Sequence, residues 1–174
     1  MAEPFRYARS MIVLHWLTAL LIVAAWLGAQ VIDWFPREQR PPVLSLHMLA
    51  GMAVGLMLLG RATLRFGGRT ALPAPALGVL ERIGHLTHLL LYVLMAAVVV
   101  LGLTNAWARG ESLFGIFSLA PYAPTDRALR RTIGGLHELA ANAILVVAGL
   151  HAAAALFHHY VLRDTVLRRM LPSI

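Results

Sequence analysis

The sequence predicts an all-α, integral membrane four-helix bundle, one domain over residues 1–174 with N- and C-termini cytoplasmic. Three observations predict it. Hydrophobic residues make up 59% of the 174 and charged residues only 13%, a balance that a soluble domain of this size cannot bury. Four apolar runs, at 11–32, 43–60, 83–107 and 134–162, lie near or above the about 20 residues that cross a bilayer as a helix. The arginines cluster between those runs and divide unevenly between the two sides.

In order along the chain, residues 1–10 are polar and carry Arg6 and Arg9. The first span is broken only by His15, Thr18 and Gln30. The turn DWFPREQRPP follows, where Pro36, Pro41 and Pro42 stop and restart helices. Trp34 and Phe35 suit a membrane interface. The second span carries His47 one turn from its start, then Gly51 and Gly55 as a small-xxx-small pair. That pair serves close helix packing, leaves room for a flat macrocycle, or does both. Residues 61–82 read as a loop rich in Arg, Gly, Pro and Ala. His85 and His88 open the third span. In the connection 108–132, the stretch ESLFGIFSL reads as a short amphipathic helix in the interface. The fourth span and the tail RDTVLRRMLPSI complete the chain.

Four spans put both termini on one side. The terminal side, with the 61–82 segment, collects nine arginines, and the other side collects six. The excess places the termini inside. The chain has no lysine, so its net charge of +7 comes from arginine. Topology and lipid headgroups account for that charge, with no nucleic-acid partner. With no cysteine, disulfides, iron–sulfur clusters, thiolate zinc sites and covalent c-type haem attachment are excluded. A cleaved signal peptide is not expected, because the first run is too long for a typical signal core.

The fourth span holds the sharpest signal. It carries His137, Glu138, Asn142, His151, His158 and His159, and ionisable groups inside a bilayer mark function. His137 and His151 are 14 residues apart, within about 40° of one helix face and about 21 Å apart along the axis. One face therefore offers a ligand near each membrane surface, which suits the axial ligands of two stacked haems b. Antiparallel packing brings His15 level with His151 at the inner side, and His47 level with His137 at the outer side. Zinc or copper would also accept imidazoles, but ligands this far apart cannot share one ion. His85 and His88 compete with His15 for the inner level, and spacing leaves that competition open. His158, with His88, reads either as a quinone pocket that hydrogen-bonds a carbonyl and relays protons, or as an interfacial contact to headgroups or propionates. His159 reads as interfacial. Asn142 reads as a bond across helices, and Glu138 as a residue of the outer rim.

These residues resemble the bacterial cytochrome b561 family. The likeness runs through His15-Trp16, Phe35-Pro36-Arg37, Arg40-Pro41, His47, Gly84-His85-Leu86-Thr87-His88 and Pro121-Tyr122-Ala123. Its most specific part is Gly149-Leu150-His151-Ala152-Ala153-Ala154-Ala155-Leu156, then His158-His159-Tyr160 and Leu167-Arg168-Arg169-Met170 with Pro172. The resemblance implies a multi-pass di-haem protein of the bacterial inner membrane, with ligands His15, His47, His137 and His151, and so settles the competition from His85. It further implies that superoxide is oxidised to O2 at the periplasmic side and that electrons pass to ubiquinone. Arg127, Arg130 and Arg131 then either steer the anion or bind phospholipid. Two other functions share parts of this pattern. One is an electron-transfer subunit that joins a dehydrogenase partner to the quinone pool. The other is a non-redox, histidine-lined metal transporter.

Overall fold

The computed structural model describes residues 6–66 and 78–172. Its frame is four helices: α1 Arg9–Val31, α2 Arg40–Phe66, α3 Val79–Arg109 and α4 Arg127–Phe157. Each is long and apolar enough to cross a membrane. Their leucines and valines are largely exposed, as a lipid-facing surface requires. At 1.5 Å per residue, helices of 27 or 31 residues exceed a hydrocarbon core of about 30 Å. Their ends therefore project into the headgroup layer, where the arginines sit.

Between α1 and α2, two single 3-10 turns flank Pro36. Arg40 fastens this corner, donating to Asp33 Oδ1 at 2.8 Å, Asp33 O at 3.1 Å and Phe35 O at 3.0 Å. Pro41 and Pro42 fall in the first turn of α2, where a missing N–H leaves no helix bond unmade.

Residues 61–82 are not all loop. Helix α2 runs on to Phe66 and α3 starts at Val79, so Arg61 and Arg65 are helical. Nothing in RATLRF breaks a helix, and the first breaking pair in the sequence is Gly67-Gly68. The remainder of that expected loop lies outside the described residues.

The expected interfacial helix in ESLFGIFSL is a β-hairpin instead. Strand β1 (Ser112–Leu113) pairs antiparallel with β2 (Phe117–Ser118). Phe114 (φ 54) and Gly115 (φ 72) both take positive φ, and Ile116 N–H closes the turn on Leu113 O at 3.0 Å. Two successive positive-φ residues make the turn that matches strand twist. Ser45, wholly buried on α2, holds the hairpin down by accepting from Phe114 N–H at 2.9 Å. Gly110 at φ 69 ends α3, and Asp126 caps α4 by accepting from Leu129 N–H at 2.9 Å.

Helix α1 packs on α2, and α3 on α4, with α2 and α3 joining the two pairs. Helix α4 has no comparable packing against α1 or α2. At mid-depth that gap is crossed by Trp26 Nε1–H, which donates to Asn142 Oδ1 at 2.9 Å as a bond between helices. The two described chain ends meet at one end of the bundle. Tyr7 N–H donates to Arg169 O at 3.3 Å, and Trp16 Nε1–H to Met170 O at 2.8 Å. This is the terminal end; the β-hairpin marks the other.

Candidate functional site

Two histidine pairs face each other across the gap beside α4. Near the hairpin end, the rings of His47 (α2) and His137 (α4) have centroids 6.0 Å apart. Near the terminal end, those of His15 (α1) and His151 (α4) are 6.3 Å apart. Metal–imidazole bonds of about 2 Å put the centroids of two trans imidazoles about 6 Å apart. Both separations fit a haem iron between the rings.

The hairpin-end pair is held by backbone. His47 Nδ1 lies 2.9 Å from Ala25 O, and His137 Nδ1 lies 3.0 Å from Val98 O. A carbonyl only accepts, so each Nδ1 carries the proton and each Nε2 keeps its lone pair for a metal. A cavity of about 410 Å³ opens at this pair, lined in part by Gly51, Val98, Gly102 and Trp107. That volume is in the range of cofactor sites. The two glycines of α2 divide their roles. A Cβ at Gly55 would meet Val99 Cγ1 at 3.2 Å, which is close packing; a Cβ at Gly51 would meet nothing within 4 Å, which is room.

The terminal-end pair is built differently. His15 Nδ1 is buried with no hydrogen-bond partner among the described residues. His88 joins from α3, its ring centroid 5.1 Å from that of His151. That is too short to span an iron, and the geometry is an edge contact between rings. His85, by contrast, is exposed and bonded to Glu81 O of its own helix at 3.0 Å.

His158 sits seven residues beyond His151, where α4 loosens into a π-type turn, His158–Leu162. Arg163 reverses the chain in the left-handed region (φ 54) and delivers Asp164 back to His158. Asp164 Oδ2 lies 2.5 Å from His158 Nδ1, and Oδ1 accepts from Val166 N–H at 2.9 Å. Burial pushes the Asp164 carboxyl up. The His158 and Val166 hydrogen bonds and the charges of His158 and Arg169 outweigh that and hold it below the usual carboxylate value. The sequence reading missed Asp164 because the signal is a fold-back of six residues through a non-glycine left-handed turn. His159 Nδ1 is buried without a partner among the described residues. Glu138 is exposed, as a rim residue would be.

At the hairpin end, Arg109, Arg127, Arg130 and Arg131 line a pocket of about 400 Å³ with Gly134 and Gly135. Arg109 also lines the His47–His137 cavity, so the two spaces adjoin. Its guanidinium is set by Asn105 Oδ1 at 2.9 Å and by Arg130 O at 3.5 Å. In the sequence Arg109 counts only towards the charge of its connection.

Four lipid-facing helices with histidine pairs at two depths define a membrane electron-transfer protein. The family model for prokaryotic cytochrome b561 matches residues 6–173, and the chain belongs to that family. It is 32% identical over 171 residues to a probable superoxide oxidase of Yersinia pestis, covering 97% of each chain. It is 32% identical over 179 residues to cytochrome b562 of Cereibacter sphaeroides, covering 98% of each. To cytochrome b561 homolog 1 of Escherichia coli K12 it is 29% identical over 172 residues, covering 96% of this chain and 97% of that one. Membership makes this a bacterial membrane protein that binds haem b.

Proposed function

We propose that the chain is a superoxide:ubiquinone oxidoreductase of the bacterial inner membrane, with two haems b and cytoplasmic termini. The observation that carries this reading is the cationic pocket that adjoins the hairpin-end histidine pair through Arg109. A small anion needs that conjunction, and the name of the Yersinia relative supplies the anion.

His47 with His137, and His15 with His151, would each hold one haem b through their Nε2 atoms. When bound, these groups supply one-electron transfer across the membrane. Two histidines at each site would leave no ligand position for O2, so the bound group would supply electron transfer alone. Ala25 O and Val98 O keep the hairpin-end rings in the ligating tautomer. The four arginines raise the local concentration and on-rate of superoxide about 10-fold or more. Ubiquinone would be reduced at the terminal end beside His158 and His88. There His158 hydrogen-bonds a quinone carbonyl and passes protons, oriented by Asp164. Two superoxide anions, one quinone and two protons then give two O2 and one quinol.

The test uses purified, oxidised holoprotein. Superoxide generated enzymatically should reduce the haem, superoxide dismutase should block that reduction, and a soluble quinone should reoxidise it. A haem that stays oxidised under superoxide but responds to quinol would leave electron exchange with a protein partner. The exposed hairpin tip favours that second reading, with Ile116 89% exposed beside Phe117. A missing Soret band in freshly purified protein would favour a non-redox metal transporter.

A further inference from the structure

Arg61 is a cation inside a membrane helix, yet it is only 9% exposed. Its Nε has no hydrogen-bond partner, and no ion pair to it occurs among the described residues. Its contact is with the face of Tyr92, 5.3 Å from the ring centroid. A ring face offsets only part of what it costs to strip water from a guanidinium. A buried charge left in this state points to a partner of opposite sign.

The register says where that partner sits. Helices α2 and α4 run in the same direction. On α4 the hairpin-end and terminal-end histidines, His137 and His151, are 14 residues apart; on α2, Arg61 lies 14 residues after His47. Arg61 thus stands on nearly the same face as His47, about 21 Å nearer the terminal end, at the level of His15 and His151. Its charge is within Coulombic reach of His15, His88 and His151. It opens no second histidine site; it adds a fixed positive charge to the terminal-end one.

We infer that Arg61 grips a carboxylate of the group held between His15 and His151, a haem propionate, and that its buried charge makes this site the better electron acceptor of the two. The inference rests on the two-haem reading above and gives its electron direction an electrostatic cause. Arginine suits the role because its planar fork takes both carboxylate oxygens and its charge is permanent. A fixed positive charge beside the site favours the state with one more electron. The hairpin-end pair, propped by neutral carbonyls, has no buried cation among the described residues: Arg109, Arg127 and Arg131 of the adjoining pocket are exposed and Arg130 is half-buried, so solvent screens them. Electrons would therefore run from the hairpin end to the terminal end.

Redox titration of the detergent-purified holoprotein, followed in the haem bands, tests this. Arg61→Gln should lower the terminal-end midpoint by about 59 mV, a tenfold change for one electron, and move the hairpin-end midpoint far less. Arg61→Lys keeps the charge but not the fork, so its shift should have the same sign and be smaller. This variant carries the test if Arg61→Gln does not fold. Arg65→Gln, exposed one turn further on and acting on His88 but not on His15 or His151, should move the terminal-end midpoint less than Arg61→Gln does. Two midpoints that stay in place, or move together, in the Gln and Lys variants would overturn the assignment. An unmodified chain that holds fewer than two haems would instead defeat the two-haem reading, independently of Arg61.

Discussion

The two ends of the bundle hold their histidines by different means. At the hairpin end, each ring is fixed by a carbonyl of a neighbouring helix, and a shaped cavity opens beside it. At the terminal end, His15 Nδ1 has no such partner among the described residues, a third histidine leans on His151, and a buried arginine stands close by. One pair is held by backbone carbonyls with its arginines in an open pocket beside it, and the other has a cation buried at its level. On the proposed electron path, that difference would fix the donor-side group by geometry and tune the acceptor-side group by a buried charge.

The largest test of that contrast removes one ligand at a time. His137→Ala should halve the haem content by emptying the hairpin end only, and His151→Ala should empty the terminal end only, as read by haem per chain. Loss of both groups, or of neither, would break the division into two independent sites.

Next in size is a glycine that the hairpin end requires. A Cβ at Gly102 would lie 2.9 Å from His137 Cε1 and 3.3 Å from its Nδ1. Gly102→Ala should turn the ring off its Val98 carbonyl and weaken haem retention at that end by about 10-fold, the usual scale for losing such a support. Gly149→Ala, with nothing within 4 Å, should leave haem content unchanged.

The cationic pocket adjoins the hairpin-end pair. Arg130→Gln with Arg131→Gln should slow haem reduction by superoxide about 10-fold at low salt and flatten its salt dependence. Stopped-flow rates across a salt series check this. An unchanged salt slope would return these arginines to phospholipid.

The smallest effect is expected at Asp164. One hydrogen bond nets ~1 kcal/mol, so Asp164→Asn should slow quinone reduction about fivefold and leave haem reduction by superoxide untouched. The pH sign follows from a carboxyl held below its ordinary value. Its contribution is fully present above the unfolded carboxylate value, about 4, and is lost as pH falls through the lower folded value. Thermal unfolding of the Asn variant should therefore differ from the parent at neutral pH, with the gap closing only in acid.

The sequence made the frame and the pairing of His15 with His151 and of His47 with His137 legible because helix periodicity governs both. Hydropathy marks the spans, and the 14-residue interval on α4 needs only helix geometry. Features that depend on the chain turning back were hidden. Strands of two residues are too short to show alternation, so ESLFGIFSL read as helix until the positive φ of Phe114 and Gly115 was seen. Asp164 reaches His158 through the left-handed Arg163, which sequence gives no reason to expect. Arg61 was masked by its company. Arginines at the end of an apolar run ordinarily mark headgroups, and only continued helix to Phe66 puts this one inside. The glycine pair, ambiguous as letters, separates once neighbours are measured: Gly55 packs on Val99 and Gly51 faces space.

The most direct test of electron flow from hairpin end to terminal end is rapid mixing of superoxide with each single-haem variant, followed in the haem band and then with quinone. In His151→Ala, which keeps the hairpin-end haem, the band should be reduced quickly and quinone should reoxidise it poorly. In His137→Ala, superoxide should barely reduce the remaining haem, and quinol should reduce it readily. The reverse pattern, with superoxide reducing the terminal-end haem and not the other, would contradict the account.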